Sequence, residues 1–390
     1  MKKTILISVV LSSLLLHATE KEQKDLEKRV DVLEKALASQ QKDKMQKALS
    51  SNSSFNQKSF IPDISLILNA SAVSRNIKNS EYEGYGIDGF NPETDEIPFN
   101  KNRGFNFNYA EFGMHSAVGP YFDADAIFHL HPDEFEIEEA YITTKKLPSN
   151  LQLKAGLFRS DFGRINAIHH HAQHFMAQPL VYEAMLGTEG IKDAGVSLHW
   201  VAPTDSYIMA GVEALQGENE LSFGYPESNN LYVGYIKSGF DVGESNALLV
   251  GGSVATGKTP NNEESKLYGA ELTVKHTIDS YSSLSWQSEY LYRDRVDQKQ
   301  AGLYTQLIYD MDSNWEFGTR YDAITKNLDT QSDDLKKYSA IVSYKPFEFS
   351  KLRLQYSKDK SKSFQGKRQD ENMIALDFMV EIGAHGAHAF

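Results

Sequence analysis

From Phe60 to Phe390 apolar side chains recur at every second residue, and the residues between them are largely polar or charged. Ile64, Leu66, Leu68, Ala70 and Ala72 alternate with Ser65, Ile67, Asn69 and Ser71. Phe122, Ala124, Ala126, Phe128 and Leu130 alternate with Asp123, Asp125, Ile127, His129 and His131. The same period runs through 268–275, 286–293 and 374–381. A period of two is that of a β-strand with unlike faces. A soluble sandwich shows it as well, so the connections decide. Short turns fall at Gly119-Pro120, Pro148-Ser149-Asn150, Pro203-Thr204-Asp205, Asp279-Ser280, Asp312-Ser313-Asn314 and Pro346-Phe347. They are interleaved with longer polar segments near 76–103, 161–192, 217–228, 257–264, 324–335 and 358–370. Tight turns at one end and longer loops at the other are the rhythm of outer-membrane barrels. The exception is His131-Pro132-Asp133-Glu134, a short turn at the long-loop end. The count comes to about sixteen strands, and an even number returns the chain to the side it started from. The expected fold is all-β: a transmembrane antiparallel β-barrel of about 16 strands over 60–390, preceded by a short α-helical coiled coil.

The coiled coil is read from residues 19–49, which hold no Gly or Pro. Leu26, Val30, Leu33 and Leu37 form an a/d seam flanked by Glu and Lys, which Gln40 and Lys44 then interrupt. A solvated charged helix without a partner fits the same residues. Residues 50–59 are rich in Ser, Asn and Gln and read as a linker. Ahead of both, Lys2 and Lys3 precede an apolar run, Thr4 to Leu16, and Leu16-His17-Ala18 offers a cleavage site. That is the pattern of a signal peptide, 1–18, whose apolar run is too short to anchor in a bilayer. Export to the outer membrane follows, with the coiled coil in the periplasm.

Composition narrows the function. There is no cysteine, which excludes disulfides, thiolate metal sites and cysteine nucleophiles. The chain carries 21 Phe and 20 Tyr, yet 24% of its residues are charged. Its mean hydropathy is −0.46. Many aromatics with low mean hydropathy suit a barrel in which only alternate residues face lipid. Trp200, Tyr207, Tyr281, Tyr292, Tyr309, Trp315, Tyr338, Tyr344 and Tyr356 lie near strand ends, as interfacial rings do; β-propensity alone would also place them there. The net charge of −13 disfavours nucleic acid as a partner and favours cations.

Charges on the inner face of a barrel line its lumen, because a charge facing lipid at mid-membrane costs about 2–4 kcal/mol for Lys or Arg. By alternation the pore-lining set includes Asp123, Asp125, Glu134, Glu136, Lys154, Lys237, Glu271, Lys275, Glu289, Arg293, Arg320, Asp322, Arg353, Asp377 and Glu381. The acidic group on adjacent strands and the arginines further round the wall would set a transverse field if the two faced each other. Pairing across strands is the plainer reading. The segment 161–193 is the expected constriction loop, since Phe175, Met176, Leu180, Val181, Tyr182, Met185 and Leu186 would not be left exposed in a free loop. It also carries His169, His170, His171 and His174. On a helical turn, His170 with His174 or His171 with His174 would present two imidazoles to one zinc or other divalent ion. His129 and His131 lie within reach of the loop, and Glu134 and Glu136 would add oxygens. A titrating loop without metal fits the same residues. His385 and His388 form a separate pair near the chain end.

Several stretches carry a family resemblance: FIPDISLILNASAV (60–73), FEIEEAYITTKKLPSNLQLKAGLFRSDFGRIN (135–166), HHHAQHF (169–175) and GAHGAHAF (383–390). With the terminal Phe390 on a last amphipathic strand, the chain resembles the sixteen-stranded porins related to the phosphate-selective porins O and P. It looks closer still to a group of zinc-regulated porin-like outer-membrane proteins. The resemblance implies barrel assembly machinery as a folding partner, and the coiled coil would serve a homotrimer. Some members of that group are labelled energy-coupled receptors, which resemble larger barrels with a folded N-terminal plug. Some forty residues between signal and first strand cannot form such a plug, so a passive channel for small solutes or ions, divalent cations such as zinc included, is expected. No cofactor is required, and zinc would bind transiently. No hydrolase or phosphate-cradle motif is present, so no enzyme is expected. The alternatives are a rim-site hydrolase using His129 with Asp133, or a metal-capture protein without general porin activity.

Overall fold

The computed structural model describes residues 62–383, apart from 83, 88–89, 91–98, 133, 225–228, 297 and 327–334. The chain divides into Met1–Ile61 and Pro62–Phe390, and every described residue belongs to the second unit. The signal peptide, coiled coil and linker expected over 1–18, 19–49 and 50–59 lie outside the described residues. So do Asp133, His385, His388 and Phe390.

The alternating stretches become sixteen barrel strands of 9 to 15 residues. They are β1 (Asp63–Arg75), β2 (Gly104–Val118), β3 (Phe122–Leu130), β4 (Phe135–Thr144), β5 (Leu151–Arg159), β6 (Lys192–Val201), β7 (Tyr207–Leu215) and β8 (Leu231–Val242). There follow β9 (Asn246–Lys258), β10 (Glu264–Thr277), β11 (Ser283–Arg295), β12 (Lys299–Asp310), β13 (Trp315–Lys326), β14 (Lys336–Tyr344), β15 (Ser350–Asp359) and β16 (Glu371–Gly383). Each pairs antiparallel with its neighbours in sequence, and β1 pairs with β16 to close the cylinder. Leu68 sits opposite Val380 and Ala72 opposite Leu376 across that closure. Closure leaves no edge strand with unpaired backbone groups, which a wall in hydrocarbon requires. Short connections at 243–245 and 296–298, not read from the sequence, complete the sixteen.

The outer wall is apolar. On β15 and β16, Leu352, Leu354, Tyr356, Ile374, Leu376 and Phe378 are each 38% to 53% exposed. Their alternates Arg353, Gln355, Ala375 and Asp377 are buried inside. Near the turn at 311–314 the rings of Trp315, Phe317, Tyr309 and Tyr344 pack into one outer group, Trp315 and Tyr344 at 4.7 Å. At the long-loop end, Gly86–Ile87, Lys362–Phe364 and Lys367–Arg368 form a small three-stranded sheet joining two loops.

Among the described residues, alternation breaks at three bulges. The pairing of β1 with β2 shifts between Asn69 and Ala70, so that Asn108 and Tyr109 are both buried. The pairing of β3 with β4 shifts between Ile127 and Phe128, which turns both Glu138 and Glu139 inward. A third lies between Ala301 and Gly302. One extra residue in one strand re-aims the side chains beyond it.

Gly156 of β5 holds φ +139°, where a Cβ would strike the Ala140 carbonyl oxygen and come 2.7 Å from Tyr141 Cα. Strained φ alone costs about 1–3 kcal/mol for a residue with a side chain. Gly156→Ala should lower the folded fraction in detergent, read as the mobility difference between unheated and boiled samples on a gel. Gly252→Ala, whose Cβ meets nothing closer than 3.9 Å, should leave it unchanged.

Candidate functional site

Arg159 at the end of β5 and Lys192 at the start of β6 are partners in register. The 32 residues between them (160–191) turn into the lumen as a strap. The strap holds two 3-10 turns, Ile165–Ala167 and His170–Ala172, and one short helix, α1 (Leu180–Leu186). Pro179 precedes α1 and Gly187, at φ +75°, ends it, the usual asymmetry of helix ends. Phe175, Met176, Leu180, Val181, Tyr182, Met185 and Leu186 are all at most 2% exposed. Val181, Tyr182, Met185 and Leu186 belong to one apolar cluster with Leu215, Leu231, Val233, Leu267 and Leu291 of the inner wall. A second inward segment, missed in the sequence, brings Phe223 into the same cluster.

An irregular strap cannot pair its own backbone, so the wall supplies partners. Lysines and arginines donate to its carbonyls: Lys351 to His171 O (3.1 Å), and Arg353 to Gln173 O (2.9 Å) and His174 O (2.8 Å). Arg320 donates to Ala177 O (3.0 Å) and Gln178 O (3.1 Å), and Lys237 to Gly163 O (2.6 Å). Arg293 donates to Met185 O (3.3 Å) and, on the second segment, to Leu221 O (2.8 Å). Acidic groups accept from its amides: Glu289 from Arg164 (2.9 Å) and Ile165 (3.0 Å), and Asp322 from Leu180 (2.9 Å). Glu289 also accepts from the Tyr182 hydroxyl at 2.7 Å. Glu183 of α1 meets Lys362 at 2.7 Å and Lys337 at 3.5 Å. Burial alone would raise its carboxyl, but the two lysines hold it down at about 2.

Other residues read from alternation face inward with local partners. Asp123 and Asp125 are half-buried at the short-turn end, bonded to Lys145 (2.6 Å) and His115 (2.7 Å). Lys154 lies 4.9 Å from the Tyr141 ring centre and 5.3 Å from that of Phe158. Glu271 lies 3.7 Å from Lys237, Lys275 is exposed, and Glu381 is half-buried. Glu134 is an exposed residue of the 131–134 connection, not part of the inner wall.

The arrangement of acidic and basic walls differs from one of opposed faces. Arg320 and Arg353 stand on β13 and β15, separated from β2–β4 only by the closure strands β16 and β1 and their neighbours. Arg353 donates to Asp377 (3.0 Å), which accepts from Asn69 (2.7 Å), which in turn accepts from Asn108 (2.6 Å). Arg293 on β11 alone stands half-way round from β3. Sequence order had hidden this, because strands distant in the chain become neighbours when a barrel closes.

The histidines divide. The 3-10 turn His170–Ala172, with His169 as the residue before it, replaces the expected helical turn. His169 and His171 face β2–β4 with rings stacked at 5.6 Å. His171 Nδ1 is 3.0 Å from Glu111 Oε2, and His129 Nε2 is 3.1 Å from the same oxygen. His169 Nε2 is 3.0 Å from Glu139 Oε2, and His129 Nδ1 is 3.8 Å from Glu138 Oε2. His131 stands edge-on to His129 at 5.9 Å. His170 instead stacks on Phe99 at 3.9 Å and donates to Met176 O at 2.7 Å. Desolvation and the Arg353 charge push its imidazole down to about 4. His174 reaches Glu316 on β13 at 3.2 Å. The i,i+4 and i,i+3 pairings expected for His170 and His171 with His174 are therefore not made. Glu111, Glu138 and Glu139 were not read from the sequence. Glu111 could have been found from the alternation of Tyr109, Glu111 and Gly113 with Ala110, Phe112 and Met114; Glu138 and Glu139 are brought together by a bulge.

No known protein family matches the chain in a scan of family profiles. Among solved structures, the fold is similar to the outer membrane channel DcaP of Acinetobacter baumannii, with a TM-score of 0.56 and 12% identity over 84% of this chain and 99% of that one. An anion-selective porin from Comamonas acidovorans gives 0.56 and 10%, over 83% and 100%. The trimer form of OmpT, an outer membrane protein of Vibrio cholerae, gives 0.54 and 12%, over 83% and 100%. These likenesses establish the fold as that of outer-membrane porin barrels. In sequence, an uncharacterized protein of Aquifex aeolicus (strain VF5) is 40% identical, over 87% of this chain and 82% of the relative. At that identity and coverage, the chain belongs to the family of the Aquifex aeolicus protein.

Proposed function

We propose that the protein is an outer-membrane porin-like channel for passive diffusion of small solutes or ions, its bore set by the strap. One observation carries this reading: a closed cylinder, apolar outside and charged inside, is crossed by a loop fixed to its inner wall. An apolar outer face suits lipid, and an inner face of this charge suits an aqueous path. Excess acidic charge and the half-buried Asp123 and Asp125 at the short-turn mouth favour cations. Divalent cations, zinc among them, fall in that class. The short turns face the periplasm in this reading, the compartment also proposed for the coiled coil. Bilayer lipid surrounds the wall, the barrel assembly machinery inserts it, and a homotrimer is the assembly, as in the trimer form of OmpT. The narrower kinship we propose is with the phosphate-selective porins O and P and the zinc-regulated porin-like group. The hydrolase alternative is not favoured: His129 is buried between Glu111 and Glu138, under the Tyr109 ring at 5.1 Å.

Purified protein in planar bilayers should give discrete single-channel steps that carry potassium better than chloride. Silence from protein shown to be folded would end the channel reading. Because Arg159 and Lys192 pair in register, residues 162–189 can be replaced by a short Gly-Ser turn that keeps the pairing of β5 with β6. That variant should conduct at least several-fold more per channel. Equal conductance would mean that the strap does not set the bore.

A further inference from the structure

Among the described residues, three groups of ligand-type side chains stand at the long-loop end of β2–β4. The three carboxylates of Glu136, Glu138 and Glu189 are already paired with two cations. Lys192 Nζ lies 2.8 Å from Glu138, 3.0 Å from Glu189 and close to Glu136. Arg159 holds Glu138 and Glu189 as well. A metal there would have to displace an ammonium, so this group is a salt-bridge network.

The other two groups differ in chemistry. Glu111, His169 and His171 are all buried, and each offers a ligand atom within 4.8 Å of the others'. His129 adds a third imidazole against the same Glu111 oxygen. Two ring nitrogens at 3.0 and 3.1 Å from one oxygen already stand at about the ligand-to-ligand spacing that metal bonds of 2.0–2.2 Å give a tetrahedral ion. Bringing His129, which lies outside that close group, and His169 onto the same ion needs side-chain shifts of roughly 1–2 Å. Glu139 lies against His169 Nε2 and orients that ring, as carboxylates orient metal-bound histidines. Three imidazoles and one carboxylate favour zinc and its first-row neighbours over magnesium or calcium, which take oxygen.

We infer that Glu111, His129, His169 and His171 form a site for one zinc-type divalent cation, which fastens the strap to the wall. The inference deepens the channel reading, on which it rests, by naming an ion the lumen holds. Two ligands come from the strap and two from β2 and β3, so an ion here joins parts of the chain that only the fold brings together. The second group, His129, His131 and Glu136, has His129 in common with the inferred site, and two of its three members are half-buried. His131 Nδ1 is held by Asn108 O at 2.8 Å, which leaves Nε2 for an ion. It forms the approach to the buried site.

The test uses full-length protein folded in detergent, titrated with zinc chloride by calorimetry, with metal content measured after gel filtration. One zinc per chain is expected, with no uptake of calcium or magnesium. His171→Ala and Glu111→Gln should each weaken binding at least tenfold. His174→Ala, on the far arm of the strap, should not. Zinc absent above a detergent blank, or equal losses in the His174 and His171 variants, would overturn the site. If His171→Ala fails to fold, Glu111→Gln carries the comparison, being nearly isosteric. Bilayer recording separates the two readings. Conductance without zinc binding removes the site and keeps the channel; zinc binding without conductance keeps the site and removes the channel.

Discussion

A sheet that presents its apolar residues outward has only its interior for charges, and those charges must be solvated there. In a wide barrel water does this. Here much of it is done by the backbone of the strap, whose amides and carbonyls are matched by carboxylates and cations of the wall. A hydrogen bond to a charged group contributes about 1.5–3 kcal/mol net, and leaving such a group buried without a partner costs more. Wall and strap therefore hold each other in place: the strap has no secondary structure long enough to stand alone, and Glu289, Asp322 and Arg353 would be poorly solvated beneath it without its backbone.

The matching follows sign. Carbonyl oxygens of 171–178 point to the cationic stretch of wall on β13–β15, and the amides of 164 and 165 point to Glu289 on β11. Where the barrel closes, the cationic stretch runs into the polar ladder of Asp377, Asn69 and Asn108, and beyond it into the carboxylates and imidazoles of β2–β4. Arg353 and Asp377 thus meet beside the seam, and across it the hydrogen bonds run through the neutral Asn69 and Asn108. The strap enters the lumen beside the carboxylates and reaches the cations, spanning both.

The strands were legible because alternation is a local property, written in five to seven residues at a time. The even count and the inward turn of 160–191 were legible for related reasons: loop lengths alternate, and seven apolar side chains do not stay in water. What the chain could not display locally was where the period slips. Glu138 and Glu139 look like one inward and one outward residue, and only the bulge opposite Ile127 and Phe128 turns both inward. Glu111 lay in a readable alternation, but its worth depends on His129 and on His171, sixty residues away. The arginines looked remote from the acidic strands because distance along a chain is not distance around a closed ring.

The histidine run shows the same limit within six residues. A 3-10 turn stacks residues three apart, but this one ends at Ala172 and the chain is extended at Gln173, so His174 lies beyond it and joins neither His170 nor His171. His169 and His171 meet the wall at β2–β4, His170 lies flat on Phe99, and His174 is carried on to β13. The strap is thereby fixed at both arms, by imidazole–carboxylate contacts on one and by Arg353, Arg320 and Glu316 on the other. The ion site inferred above, divided between strap and wall, would exist only while the strap lies against the wall, so ion binding and docking of the strap would be linked by the same free energy.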